Sequence, residues 1–262
     1  MTIHDADPQA LIPDAAVDAL RAADAVTVFT GAGMSAESGV PTFRDAHTGL
    51  WERFDPALLA TVGAWERDPD MIWAFYQWRA RMVRVAQPNA GHHSLAHLAA
   101  DVPTSIVTQN IDDLHERAGS TDVSHLHGSL FNPICAYCGR PYRGLDADPD
   151  RAVEQFRVEP PICPVCLGSV RPGVVWFGEN LPERPWMTAE SAMLTSDVVV
   201  VVGTSGVVYP AASLPEMAAA QGVPVLEINP ETTPLSPIAQ WSVRTTAAKG
   251  LPELVARRRD QS

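Results

Sequence analysis

Lysine is almost missing from this chain of 262 residues: Lys249 is the only one, so nearly all of the 19 cationic side chains are arginine. We read that first as a composition bias. Positive charge is itself in short supply, because 31 acidic residues leave a formal charge of −12. This balance argues against a general nucleic-acid surface, which needs a basic patch or stripe to meet phosphates, but it permits one local basic pocket. Long apolar runs are absent too. No stretch approaches the ~18 residues of a membrane span, and Met1 to Pro13, acidic and broken by prolines, carries no basic-plus-apolar leader. No membrane partner and a cytoplasmic location are therefore expected. Cysteine is scarce: there are four, all in two C-x-x-C pairs. In a reducing compartment such pairs read as a metal site before a disulfide. Internal repeats and low-complexity tracts are lacking.

What remains is an ordinary globular mix, 46% apolar and 19% charged. It is long enough to bury one large α/β domain, or a large domain with a small insert. The stretch from Ala25 to Asp45 organises the rest. An apolar, β-prone run (Ala25 to Thr30) leads into Gly31, Gly33 and Ala36, which fit the G-x-G-x-x-G/A spacing of a strand turning tightly into a helix. Glycine lets the backbone approach a pyrophosphate, and unpaired helical N–H groups meet its charge. A tight turn with no ligand has the same spacing. A dehydrogenase would place an acidic residue at the end of a second strand about 20 residues on. Glu52 lies at that distance, but Thr48 to Phe54 is no buried strand. Pro41-Thr42-Phe43-Arg44-Asp45 suits a loop folding over a dinucleotide and does not suit hydride transfer.

Asp14 to Asp24 reads as a helix with Asp14 as N-cap and Val17 and Leu20 on one face. Residues 46–88 are rich in tryptophan and read as a helical insert. Between Met71 and Val85, at ~100° per residue, Ile72, Phe75, Tyr76, Met82 and Val83 share one face and Gln77, Arg81 and Arg84 lie opposite. Arg79 falls within the apolar face, one turn after Tyr76. Burying a charge without a partner is expensive. Either the arginine stem lies on the core with its head in water, or a cation and a phenol are set to receive an anionic group. Pro88 to Gly91 breaks this helix, and His92 to Ala100 begins another.

Ser105 to Thr108 is a short strand ending at Gln109-Asn110-Ile111-Asp112-Asp113, followed by a helix from Leu114 to Ala118 closed by Gly119. Polar groups at the C-terminal end of a strand are where open α/β sheets bind ligands, although Asn110 or Asp112 could equally be helix caps. Val123 to Gly128 alternates and places His125 and His127 on one face, each a possible base. Cys135-x-x-Cys138, 24 intervening residues and Cys163-x-x-Cys166 form a four-thiolate zinc signature. Four sulfurs leave no open position, so the metal is structural. Val174 to Glu179 is a further strand and turn. Asp197 to Val202 is a buried strand ending in a second glycine turn, Gly203-Thr204-Ser205-Gly206. Pro210 opens a helix that Gly222 ends, Pro224 to Ile228 is a strand ending at Asn229-Pro230-Glu231, and a final helix starts at Pro252. Strands alternating with helices in this way mean an α/β doubly wound parallel sheet.

These pieces together resemble the sirtuins, the NAD-dependent protein lysine deacylases, over most of the chain from about Ala25 to Leu254. The likeness rests on Gly31 to Arg44, Thr108 to Asp112, His127-Gly128, the four cysteines, Gly203 to Ser205 and Asn229 to Glu231. The resemblance implies a large Rossmann-type domain (1–45, 89–130 and 172–262). It also implies a small domain made of the helical insert (46–88) and the zinc module (131–171). NAD and an acyl-lysine peptide would meet in the cleft between them. By position, the turn would cradle the pyrophosphate and cover the nicotinamide ribose through Gly31, Ala32, Gly33, Met34, Ser35, Glu37, Ser38, Gly39, Pro41, Thr42, Phe43 and Arg44, with Trp51 beyond. Asn110, Ile111 and Asp112 would line the nicotinamide pocket, with Gln109 on the ribose. Gly203, Thr204, Ser205, Asn229, Pro230 and Glu231 would hold the adenosine end, and Ala247 would touch the adenine.

His127, not His125, matches the catalytic histidine of the family, with Asn110 and Asp112 beside it. In the implied mechanism the acyl oxygen attacks the ribose carbon as nicotinamide departs, and His127 activates the ribose hydroxyl that captures the acyl carbon. The products are free lysine, nicotinamide and O-acyl-ADP-ribose. Peptide is expected to add as a strand between Gly178-Glu179 and Gly206-Val207-Val208, near Val175 and Phe177, which reads backbone more than sequence. Tyr76 and Arg79 look like the Tyr-x-x-Arg of the subgroup that removes succinyl, malonyl and glutaryl groups, with some deacetylation expected as well. The expected cofactors are NAD and one structural Zn2+, and the expected state is a monomer. The alternative is a mono-ADP-ribosyltransferase using the same NAD cleavage, for which an acyl-carboxylate clamp would have no use. An NAD-sensing scaffold fits less well with intact His127 and Asn110.

Overall fold

The computed structural model describes residues 11–41, 56–143 and 156–260. Six strands form one parallel sheet: β1 (Val26–Thr30), β2 (Thr104–Thr108), β3 (Val123–His125), β6 (Val198–Val202), β7 (Val225–Ile228) and β8 (Trp241–Val243). Their spatial order is β3-β2-β1-β6-β7-β8. In chain order that is the 3-2-1-4-5-6 arrangement of doubly wound dinucleotide folds, whose switch point lies between β1 and β6. Those two strands pair in register from Val26↔Val198 to Thr30↔Val202.

The sequence explains why this sheet is buried on both faces. β1 (VTVFT) and β6 (VVVVV) are dominated by β-branched residues, and every position in both is buried, the near-continuous apolar pattern of parallel strands. Their side chains alternate between two helical layers. Val26, Val28, Val198, Val200 and Val202 pack with Leu20 of α1 (Asp14–Ala22), Leu95 of α6 (Ala90–Asp101) and Leu251 of α10 (Ala247–Arg259). Phe29, Val199 and Val201 pack with Met193 of α8 (Glu183–Thr195) and Leu214 of α9 (Ser213–Ala220).

A second, aromatic core lies outside those layers. Helices α3 (Pro56–Leu59), α4 (Val62–Arg67) and α5 (Pro69–Val85) pack on an antiparallel pair, β4 (Gly128–Cys135) and β5 (Val170–Val174). Trp65, Ile72, Phe75, Tyr76, Val170 and Trp176 are its buried members. Among the described residues the stretch 46–88 is mainly helical, as its lack of strand patterning suggests.

Several boundaries differ from the sequence expectation. Asp14 is not the cap of α1: Pro13 holds the N-cap position, and the Asp14 carboxylate pairs with Arg257 of α10. Asn89 caps α6, which begins at Ala90, two residues before His92. Its side chain accepts from Gly91 and His92 N–H while His92 Nδ1 accepts from Asn89 N–H, a reciprocal capping box. Met82 is only half-buried on α5. Pro210 does not open α9. Its carbonyl is taken up in a turn by Ser213 N–H, and the helix starts at Ser213. The last helix begins at Ala247, with Pro252 inside it; one proline there removes a single i→i−4 bond, which the remaining turns outweigh. β5 ends at Val174, and the residues after it bond singly, Val175 N–H to His127 O and Phe177 N–H to Ala60 O. β8 and α8 carried no sequence signal strong enough to be placed.

Candidate active site

At the switch point the two glycine turns pack directly on one another. Gly31 N–H donates to Val202 O and Gly33 N–H to Gly203 O, at 3.0 and 2.8 Å. A Cβ on Gly31 would sit 2.7 Å from Thr204 Cα, and one on Gly33 would sit 2.8 Å from Gly203 Cα. The helix expected after the glycines is a single turn, α2 (Gly33–Ala36), fixed by Asn89 Nδ2 donating to Met34 O at 2.8 Å.

Above these turns lies a cleft of about 750 Å3. Of the turn residues singled out from sequence, Gly31, Ala32, Gly33, Ser35, Glu37 and Pro41 line it, as do Gln109 to Asp112, His127, Gly203 to Ser205, Asn229 to Glu231 and Ala247. The Met34 side chain is instead wholly buried in the sheet core. Ser38 Oγ accepts from Asn89 Nδ2, and neither Ser38 nor Gly39 is among the lining residues. Thr42, Phe43, Arg44 and Trp51 lie outside the described residues. Every residue expected to meet the acyl-lysine substrate is on the cleft wall: Tyr76, Arg79, Val175, Phe177, Gly178, Glu179 and Val207.

The loop after β2 ties the cleft together. Gln109 Nε2 donates to Thr204 Oγ1 at 2.7 Å, bridging the loop after β2 and the glycine turn after β6. Asn110 Nδ2 donates to Ser35 Oγ at 3.2 Å, and Ser35 Oγ donates to Asp112 Oδ2 at 2.9 Å. The other oxygen of Asp112 accepts from Leu114 N–H at 3.1 Å, at the start of α7 (Leu114–Arg117). Asp112 is thus a helix anchor through one oxygen and part of the cleft relay through the other. Burial pushes its carboxyl above the usual range, against the opposing pull of those two hydrogen bonds.

The two histidines diverge. His127 Nδ1 lies 2.9 Å from Gln109 O. A carbonyl only accepts, so Nδ1 carries the proton and Nε2 keeps its lone pair. Burial lowers the His127 pKa below 6.5, with the Gln109 bond opposing; the ring is a neutral base at pH 7. His125 spans Asn110 O at 3.0 Å and Glu116 Oε1 at 2.7 Å. Burial lowers its pKa, but the Glu116 and Asn110 contacts outweigh this and the net shift is upward. His125 is therefore committed to two partners, and among the described residues only His127 of this pair lines the cleft.

Arg79, also on the cleft wall, is 8% exposed, and its guanidinium carbon lies 5.9 Å from the Phe75 ring centroid. Burial lowers its pKa, while the nearby Tyr76 and Asp112 oppose the shift. Burial drives the Tyr76 pKa up to about 12, with Arg79 opposing, so the phenol is neutral. Its oxygen accepts from Trp176 Nε1 at 3.0 Å. The Glu179 carboxylate is already engaged by Arg171 and by Trp176 N–H. Sequence reasoning missed Trp176, whose lone indole N–H needs an acceptor when buried. It also missed Glu227, 1% exposed and holding Thr233, Ser236, Ser242 and Arg244 beside the Asn229 turn.

The cysteine sulfurs of Cys135, Cys138, Cys163 and Cys166 all lie within 4.8 Å of one another, and none is in a disulfide. Tyr137 and Cys138 N–H groups point at Cys135 Sγ, at 3.4 and 3.5 Å. Four converging thiols with amide donors aimed at sulfur fit a tetrahedral zinc ion.

A crevice at the switch point of a doubly wound sheet, with a four-cysteine cluster at the end of the flanking hairpin, defines an α/β protein of the dinucleotide-binding type. Comparison narrows the class. The model of the Sir2 family matches residues 31–210, and the chain belongs to that family. It is 54% identical over 247 residues, 92% of this chain and 96% of the relative, to "NAD-dependent protein deacylase 2" of Corynebacterium efficiens. Among solved structures it is similar to a Sir2 homologue in complex with NAD, with a TM-score of 0.86, 42% identity, and coverage of 95% of this chain and 94% of the other. A Sir2 variant with a deacetylated p53 peptide and 3'-O-acetyl ADP-ribose gives a TM-score of 0.80 at 28% identity, covering 93% and 97% of the two chains.

Proposed function

We propose that this chain is an NAD-dependent protein lysine deacylase that removes succinyl, malonyl and glutaryl groups, and acetyl groups as well. The observation that carries the acyl preference is Arg79, a buried cation on the cleft wall one helical turn from the neutral phenol of Tyr76. An acyl chain ending in a carboxylate would meet that cation in a charge-assisted contact, with the phenol beside it as a second polar group. The division of labour follows the expected domains. Residues 1–45, 89–130 and 172–262 hold NAD, and the insert 46–88 with the module 131–171 forms the small domain, stabilised by one zinc ion on Cys135, Cys138, Cys163 and Cys166. Thiols kept free for metal suit the cytoplasm.

NAD, when bound, supplies a ribose carbon that becomes electrophilic as nicotinamide leaves. Asn110 and Asp112 face the nicotinamide side of the cleft, and their relay through Ser35 fixes both side chains. Gln109 is held by Thr204 at the ribose. His127 Nε2 takes the proton of the ribose hydroxyl that captures the acyl carbon, a role its tautomer and lowered pKa suit. The products would be free lysine, nicotinamide and O-acyl-ADP-ribose. Peptide backbone would lie between Gly178-Glu179 and Val207. A mono-ADP-ribosyltransferase would use the same NAD cleavage, but it gives the Tyr76–Arg79 pair nothing to do.

The test is turnover of matched acetyl-, succinyl- and malonyl-lysine peptides with NAD, for wild type, His127→Tyr and Arg79→Met. His127→Tyr abolishes activity on every acyl group. Arg79→Met lowers desuccinylation about 30-fold or more, ~2 kcal/mol at ~1.4 kcal/mol per decade, and lowers deacetylation far less. Equal losses on both substrates would remove the acidic-acyl assignment and leave the deacylase.

A further inference from the structure

Trp176 connects the acyl wall to an ion pair behind it. Its indole is 1% exposed and fixed on three sides. The Arg171 guanidinium carbon lies 3.5 Å from the ring centroid, the Trp65 ring packs at 5.7 Å, and Nε1 meets Tyr76 Oη at 3.0 Å. Glu179 closes the clamp, accepting from Arg171 Nη1 at 2.5 Å, from Arg171 Nη2 at 2.8 Å and from Trp176 N–H at 2.8 Å. An indole N–H is a donor and cannot accept. The Tyr76 oxygen must therefore accept on the Trp176 side, and its own proton is turned away from the indole. Arg79, one turn further along α5, lies on the same cleft wall.

We propose that Trp176 is a positioning residue for acyl selectivity: its N–H orients the Tyr76 hydroxyl as a hydrogen-bond donor to the acyl carboxylate, and the Arg171–Glu179 pair holds the indole in place. The inference rests on the acidic-acyl reading above. Without the indole N–H the hydroxyl is no longer held in the donating orientation and must be ordered by the carboxylate itself, so the contact weakens with no phenol lost from the wall. The phenol stays protonated throughout the working range, so the effect is one of orientation and not of ionisation.

The experiment compares Trp176→Phe, Tyr76→Phe and the double variant on succinyl- and acetyl-lysine peptides. β-(3-Benzothienyl)alanine at position 176, which removes only the N–H, serves where phenylalanine leaves a void that unfolds the protein. Trp176→Phe is expected to lower the succinyl-to-acetyl ratio of kcat/KM about tenfold, through KM for the succinyl peptide with kcat little moved. In the Tyr76→Phe background the same change should have no further effect on the ratio, because the group it orients is gone. Losses that multiply in the double variant, or equal losses on both peptides, would overturn the positioning role. A wild-type enzyme with no preference for acidic acyl groups would overturn the acyl assignment itself. A preference that survives both replacements at position 176 would overturn only this inference.

Discussion

The two walls of the cleft are built by opposite means. The sheet side is made of backbone packed on backbone: Gly31 and Gly33 lie against Gly203 and Thr204 at distances that exclude a side chain. The facing side is made of side chains holding side chains, from Glu179 and Arg171 through Trp176 to Tyr76. Backbone contacts suit a feature common to all turnovers, such as the dinucleotide proposed to bind there, and leave little to vary. Side-chain chains can change with each substitution, so selectivity belongs there. If this is right, damage to the sheet side costs every substrate alike, and damage to the other side sorts substrates.

The harshest way to separate the walls is to take away the metal. Apparent zinc affinities of structural sites correspond to about 10 kcal/mol or more of folding free energy, and β4 and β5 meet at Cys135↔Val170 beside the cluster. Wild type is expected to carry one zinc ion per chain by metal analysis, and Cys163→Ser to lose it and to abolish deacylation. NAD affinity by calorimetry should fall far less. A collapse of NAD binding in step with zinc loss would show that the walls fold as one unit. The reverse cut is Gly33→Ala. Its Cβ would meet Gly203 backbone at 2.8 Å, and overpacking of this kind costs typically ~1–3 kcal/mol. The expected result is a lower melting temperature and a similar fractional loss on acetyl and succinyl peptides. A change in their ratio would contradict the comparison.

The same contrast decides what the sequence disclosed. β1, β2, β6 and β7 were legible because their β-branched runs and the turns that follow are local signals, and the cysteine spacing was local too. Arg79 stood out because a cation on an apolar face violates the helical pattern. Trp176 was illegible because its proposed role depends on a phenol 100 residues away. Nothing in Val-Val-Trp-Phe separates a packed indole from a directed one. Glu227 is similar: a buried acid in β7 explained only by Thr233 and Ser236 of the following loop, Ser242 of β8 and Arg244 just after it. Helix starts failed where tertiary partners overrode local preference, as when Arg257 drew Asp14 out of a capping role.

The gentlest test of the comparison is pH. His127 must be unprotonated to act as a base, and burial holds its pKa below the ordinary 6.5. The acid limb of kcat/KM should therefore have its midpoint below 6.5, activity being lost as pH falls through it. If His127 acts on the ribose, as proposed, and not on the acyl chain, acetyl and succinyl peptides should share that limb. On the other wall Tyr76 titrates only near 12, and a succinyl carboxylate is ionised well below neutrality. The succinyl-to-acetyl ratio of kcat/KM should accordingly stay constant from about pH 6 to 9, within roughly twofold, while both rates change. A ratio that falls with rising pH across that window would mean that Arg79 or Tyr76 loses its proton there. Selectivity would then be a titration on the side-chain wall and not a fixed geometry.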